Sequence, residues 1–458
     1  MRVHQGVVLM SFVRSIGRWT LTALMINCII GAGIFGVPER LMATLGRASP
    51  IAMVVAGLCM GVIVACFIEV ASQFSEPGGV YLYTRTAFGR FAGLQVSWFW
   101  FLSTLAAAAA AANLLIENVG GFVPVVAHGW LRLSVMTVLI LIPALANYLG
   151  VNRGAFLSNV FTVAKLLPLG LLIVLGMARF SGHAEIVRPS EITGPGWLAW
   201  GNALVMLFFI FSGYEDATIP SGEVRNPQRT VPVSLIVATA ICTVVYTLIQ
   251  FVVVATIGTT ATKLPLAAAA AELMGSGGRT FFEIAAIVSS YGWLSSSMLN
   301  APRLLYSMAD RRELPVVFGK LHPRFNTPHI AIVTFAVLAW FLAVTGTFHW
   351  AVVLSAGAAM IFDGVVCAAL LRLRRIQPEA ITFHLPFGGL FSVLAVAICI
   401  LLLVVSVSRD GLRQSLLIGV TALIAAANWW WARRRDASAT QPGTPSAVEL
   451  GTAVPPPI

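Results

Sequence analysis

The chain has 458 residues, of which 58% are hydrophobic and only 10% charged, with a mean hydropathy of +0.88. Soluble domains carry roughly 25% charged residues, so there is too little polar side chain to wet a water-facing surface. This excludes a soluble enzyme, a disordered chain and a fibre. The net charge of +11, from 29 basic and 18 acidic residues, would point to nucleic acid in a soluble protein. In a membrane protein it is the positive-inside bias of loops, and no nucleic-acid partner is expected.

The apolar residues fall in unbroken runs of helical length. They do not form the alternating ten-residue segments of a membrane β-barrel. A bilayer core of about 30 Å needs roughly 20 apolar residues per helix. On that rule the sequence predicts an all-α integral membrane protein with 12 transmembrane helices. They lie near 17–38, 49–72, 88–113, 130–149, 154–178, 197–219, 232–256, 280–308, 329–346, 350–371, 387–407 and 411–432. The first run is too long for a cleaved leader, lacks a small-residue cleavage site and is followed by further spans. Residues 1–435 are expected to form one transmembrane domain in the lipid bilayer. Residues 436–458, rich in Pro, Ala and Thr, are expected to form a disordered cytoplasmic tail. With an N-terminus inside, 19 basic loop residues fall on the inner side, among them Arg2, Arg14, Arg90, Arg153, Arg311 and Arg374. Nine fall outside, including Arg132, Arg188, Lys263 and Arg413. That asymmetry orients both termini to the cytoplasm of a plasma membrane, with a bacterial inner membrane expected.

Two spans carry helix breakers at mid-membrane. The first contains Gly31-Ala-Gly-Ile-Phe-Gly-Val-Pro38, and the sixth contains Phe209-Ile-Phe-Ser-Gly-Tyr-Glu-Asp216 before Pro220. Glycine disfavours helix and proline removes a donor. Unpaired backbone at membrane depth is costly unless it lines a cavity or a ligand. Close helix packing is the alternative use of Gly-x-Gly. The two breaks, however, lie about 180 residues apart, the offset expected of two five-helix repeats, and paired interrupted helices mark a transporter site. A half-helix N-terminus suits a carboxylate and freed carbonyls suit an ammonium group. Together they match the backbone of an amino acid.

Four motifs resemble the amino acid–polyamine–organocation superfamily of permeases. They are Gly31-Ala-Gly-Ile-Phe35, Ser75-Glu-Pro-Gly-Gly-Val-Tyr81, Gly213-Tyr-Glu215 with Gly222-Glu-Val-Arg-Asn-Pro-Gln-Arg229, and Pro302-Arg-Leu-Leu-Tyr306 with its following loop. The resemblance spans roughly residues 15–410. It implies a leucine-transporter-type fold: a 5+5 inverted repeat (about 17–178 and 197–371) with broken helices 1 and 6, plus two C-terminal helices at about 387–432. It implies that Gly31, Ala32 and Gly33 bind the substrate carboxylate through backbone N–H groups. Carbonyls of Phe209, Ile210 and Ser212, with Gly213, would take the α-ammonium group. Phe209 and Glu215 would act as gate elements.

Lys165 lies about thirteen residues into span five, ~20 Å deep. A charge at that depth is expensive and usually functional, although a lysine stem can also snorkel to the interface. The resemblance implies that a span-five lysine touches the first break in place of a sodium ion. Lys165 is therefore expected either to couple transport to protons, together with Glu215, or to hold the cation site of a sodium-independent exchanger. Glu215 and Asp216 are adjacent, and on a continuous helix they would face about 100° apart. Glu69 is expected to join the cytoplasmic closure. Tyr291, Trp293 and Ser295 to Ser297 are expected near the pocket, and Asp363 has no evident place.

The six cysteines lie in apolar runs without CxxC, and the seven histidines are scattered. Neither a metal site nor a cofactor is expected, and no phosphate-binding loop marks an ATP-driven pump. The expected function is secondary active transport of an amino acid by alternating access, as proton-coupled symport. The alternative is a polyamine or cationic amino acid exchanger, for which an acid in the pocket would be needed. A non-transporting nutrient sensor would share every motif. A membrane enzyme would need a catalytic constellation that the sequence lacks.

Overall fold

A computed structural model describes residues 17–74, 78–149, 154–180, 194–216, 224–258, 262 and 264–439. Predicted features at Arg2, Arg14, Ser75 to Pro77, Arg153, Arg188, 217–223, Lys263 and 440–458 lie outside these residues. The described chain is built from helices. Seven helical stretches within it are long and apolar enough to cross a membrane, and the protein is an integral membrane protein.

The helices follow the runs of apolar residue. The first predicted span is two helices, α1 (Arg18–Ile29) and α2 (Gly33–Leu45), separated where the glycines stand. Next come α3 (Ser49–Ser72), the short α4 (Gly79–Phe88), the long α5 (Arg90–Phe122), α6 (Gly129–Leu149) and α7 (Gly154–Phe180). The helix α8 (Trp197–Phe211) stops eight residues before the predicted end of span six. The second half then contains α9 (Pro227–Ile257), α10 (Pro265–Met274), α11 (Ser276–Asp310), α12 (His329–Thr345) and α13 (Phe348–Ile376).

The last helical stretch, α14 (Gly388–Ala439), covers both final predicted spans and enters the predicted tail. Its direction nevertheless reverses. The Gln414 amide donates to the Ser406 hydroxyl at 2.7 Å, whereas eight residues of straight helix would separate them by about 12 Å. Phe91 at the start of α5 meets Trp429, while Arg413 reaches the Thr345 carbonyl at the far end of α12. Two antiparallel arms result. The expectation of a tail beginning at residue 436 is corrected to this extent: helix continues to Ala439.

The helix α5 is buried along its whole apolar stretch and forms the centre of the bundle, whereas α6 and the second arm of α14 face outward. Exposed Leu58, Trp130, Val174 and Leu423 fit lipid, which does not penalise apolar surface. At one end of the bundle two fully buried carboxylates clasp the elements together. Glu69 of α3 takes two hydrogen bonds from Arg374 of α13, at 2.6 and 2.7 Å, and one from the Leu385 N–H at 2.8 Å. Glu313, just after α11, accepts from Arg90 at 2.7 Å and Tyr81 at 3.2 Å. Burial, and then the Glu313 carboxylate, push the Tyr81 hydroxyl above its ordinary pKa, so it remains a donor.

Candidate substrate site between two broken helices

The first break comprises residues 30–32. Ile30 caps α1 through its N–H to the Ile26 carbonyl, then turns out of helix with ψ 88°. The last carbonyls of a helix have no partner within it, and here side chains from other helices take them. Lys165 of α7 donates to the Asn27 carbonyl at 2.6 Å and to that of Ile30 at 2.5 Å. The Tyr246 hydroxyl of α9 lies 3.0 Å from the Ile29 carbonyl, and Ser289 of α11 donates to Gly31 at 3.3 Å. Lys165 is 2% exposed and its ammonium group stays inside the bundle, which removes the snorkelling reading.

The second break follows Phe211. The Ser212 N–H folds back on the carbonyls of Phe208 and Phe209, and its hydroxyl donates to Phe208 at 2.9 Å. Gly213 takes φ +106°, a conformation that side chains disfavour. A Cβ there would stand 2.6 Å from the Cys28 carbonyl oxygen, so the two breaks meet backbone to backbone at this glycine. The Gly213 N–H donates to the Glu215 carboxylate at 2.8 Å, and Asp216 accepts the Trp100 indole N–H at 3.1 Å.

Between the breaks lies a cavity. Gly31, Ala32, Gly33, Phe209, Ile210, Ser212, Gly213, Glu215 and Asp216 all border it. The sequence expectation that the two acids face apart is corrected. They follow the broken α8 in a tight turn and not on a continuous α-helix, so the 100° rule does not govern them and both border one space. Gly33 is seated under Phe209 and Ile210, where a Cβ would come within 3.1 Å of the Phe209 ring and 2.5 Å of Ile210. Of the predicted ammonium-binding carbonyls, Ile210 accepts from Tyr246 at 3.1 Å and Phe209 from the Ser212 N–H at 3.3 Å. Each keeps a second lone pair.

A smaller adjoining cavity joins Lys165 and Asp216 with Trp293, Ser296, Ser297 and Asn300. Trp293 borders both cavities, whereas Tyr291 and Ser295 border neither.

Several contributors escaped the sequence reading. Ser103, Thr104 and Ala107 of α5 and Ser355 of α13 close one side of the cavity. The Ser103 and Ser355 hydroxyls each donate to the other's carbonyl, which ties α5 to α13 and commits both groups. Tyr246 bridges the two breaks, with Ile29 on one side and Ile210 on the other. A buried hydroxyl in an apolar helix is the signal that could have drawn attention to it. The fully buried Asp363 receives the Tyr214 hydroxyl at 2.9 Å.

The chain matches the amino acid permease family over residues 16–427. It is 26% identical to the serine/threonine exchanger SteT of Bacillus subtilis (strain 168), an alignment covering 84% of this chain and 89% of that protein. It is 25% identical to the methylthioribose transporter of the same organism, covering 85% and 88%. Against the arginine/ornithine antiporter of Latilactobacillus sakei the identity is 25%, covering 72% of each. The chain belongs to the amino acid permease family.

Proposed function

We propose that this permease carries an amino acid across the membrane by alternating access around the two breaks. Membership of the family makes the protein a transporter and not an enzyme, with an amino acid as the class of substrate. The observation that carries the finer reading is the cavity bounded at once by the N-terminus of α2 and the broken end of α8. The first N–H groups of α2 have no partner inside their own helix and present the positive end of its dipole. A substrate carboxylate at Gly31, Ala32 and Gly33 would satisfy them. The second lone pairs of the Phe209 and Ile210 carbonyls and the Glu215 carboxylate suit the α-ammonium group. Phe209, packed over Gly33, is placed to cover the bound molecule as a gate.

In this reading the protein has twelve spans. The first ten form two five-helix inverted repeats, about 17–178 and 197–371, with the two arms of α14 added. The matching breaks in α1–α2 and after α8 support that arrangement. The basic loops place both termini in the cytoplasm, and the Glu69–Arg374 and Glu313–Arg90 clasps on the cytoplasmic side. Lys165 occupies the position of a bound cation against the first break. There it couples transport to protons, with Glu215 as partner in the opposite break.

A polyamine or cationic amino acid exchanger is the second reading. The acids Glu215 and Asp216 favour it, since both border the cavity, and one relative is an arginine/ornithine antiporter. The deciding experiment is a competition panel of radiolabelled neutral and cationic amino acids and polyamines in proteoliposomes, with and without a pH gradient. Uptake of a neutral amino acid stimulated by an inward proton gradient is expected. Selective exchange of cations would establish the second reading. Binding without flux of any compound would make the protein a sensor and refute both.

A further inference from the structure

Asp363 belongs to neither break and borders neither cavity. It lies mid-way along α13 and is 0% exposed. Its Oδ1 accepts the Tyr214 hydroxyl at 2.9 Å, and its Oδ2 has no hydrogen-bonding partner among the described residues. Two basic side chains of the bundle, Lys165 and Arg374, are committed elsewhere. Lys165 is held by the carbonyls of Asn27 and Ile30, and Arg374 is locked onto Glu69.

The other titratable neighbours bring no positive charge. Cys66 of α3, Cys367 of α13 and Cys399 of α14 surround it as free thiols. The turn after α8 contributes Tyr214 and Glu215. The helix α5 has no titratable residue between Arg90 and Glu117. On α4, Arg85 is hydrogen-bonded to Tyr81 at 2.7 Å, and Tyr83 packs against Phe74. An ionised carboxylate in such a place, with a single neutral donor, suffers a desolvation loss that the donor does not offset. A neutral acid loses less, because Tyr214 bonds its carbonyl oxygen and only the uncharged O–H at Oδ2 stays unpaired among the described residues.

Among the described residues, the one donor to this acid belongs to the second break. Tyr214 stands between Gly213, which meets the Cys28 carbonyl, and Glu215, which takes the Gly213 N–H. Its ring is fixed edge-on against Phe67 at 5.1 Å. The donor to Asp363 is therefore carried by the backbone of the second break itself. Two equilibria that share one element are linked, and each shifts the other equally.

We propose that Asp363 is a proton-binding residue of the transport cycle, protonated while Tyr214 seals it and deprotonated when the second break rearranges. On release the O–H bond at Oδ2 breaks, the carboxylate keeps the electron pair, and the proton passes to entering water. Reprotonation from the other side of the membrane completes the cycle. This rests on the carrier reading above and adds to it a proton site separate from Lys165 and Glu215.

The test uses the full-length protein in proteoliposomes with an internal pH dye and the substrate found in the panel. Wild type should move protons with substrate. Asp363→Asn should keep exchange at equal pH on both sides but lose substrate-driven proton movement and about tenfold of pH-driven accumulation. Asp363→Glu should restore part of both, which a merely structural role would not. If Asp363→Asn does not fold, Tyr214→Phe serves instead, and the pH of half-maximal uptake should move by about half a unit or more. Proton movement unchanged in Asp363→Asn, or an unmoved pH profile in Tyr214→Phe, overturns the proposal. Substrate flux without any proton movement in wild type overturns it while leaving the carrier reading intact, and no flux at all overturns both.

Discussion

Gly213 offers the sharpest perturbation of the site. An alanine there would be held at φ +106°, with its Cβ 2.6 Å from the Cys28 carbonyl oxygen and 3.0 Å from the carbonyl carbon. Both atoms are backbone, so no rotamer change relieves the contact. A strained φ/ψ costs about 1–3 kcal/mol and overpacking typically another 1–3 kcal/mol, for a total of about 2–6 kcal/mol if the conformation shown is to be kept. The cheaper escape is to separate the two breaks, which widens the cavity between α2 and α8. At 1.4 kcal/mol per tenfold, even the lower figure removes roughly 30-fold of the binding-competent state. The assay is substrate uptake in proteoliposomes together with thermal stability of the detergent-solubilised protein. Gly61→Ala and Gly170→Ala are the controls. A Cβ at either meets nothing within 4 Å, and in a helix the change should be neutral or stabilise by about 0.5–1 kcal/mol. Gly213→Ala with uptake and melting temperature equal to those controls would refute the reasoning that the two backbones meet here.

Lys165→Ala leaves the Asn27 and Ile30 carbonyls without their donor; pH-driven uptake should be abolished, and unchanged uptake in proteoliposomes would sink the coupling role. Tyr246→Phe removes the single hydroxyl between the Ile29 and Ile210 carbonyls. A loss of about 1–2 kcal/mol should appear as a KM raised several-fold to thirtyfold, with normal expression. Glu313→Gln cuts the charge that binds Arg90 and, at 3.6 Å, Arg85. The carboxylate is buried but the arginines are 25% and 39% exposed, so the loss should fall below the about 3–5 kcal/mol of a fully buried pair; the melting temperature should still fall, and Glu313→Asp should recover part of it.

Much of the fold was legible because bilayer thickness turns hydropathy into helix length. Ser49–Ser72 and His329–Thr345 coincide with their predicted runs to within a residue. The breaks were legible for the same reason, since glycine and proline at mid-span conflict with the need to satisfy backbone groups in lipid. What failed did so where local geometry replaced a regular helix. Glu215 and Asp216 were given helical directions, and the chain there is a turn.

By itself, then, the sequence determined that this is a helical membrane protein and which two of its apolar runs are interrupted. Those conclusions follow from composition and from distances along one helix. Tertiary structure alone decided what each isolated polar group meets. It brought Lys165 onto the carbonyls of α1, Tyr246 between two breaks about 180 residues apart, Ser103 against Ser355, and Asp363 under Tyr214. Contacts between helices depend on which face each one turns to its neighbours. In a chain apolar on nearly every face, hydropathy carries almost no record of that choice.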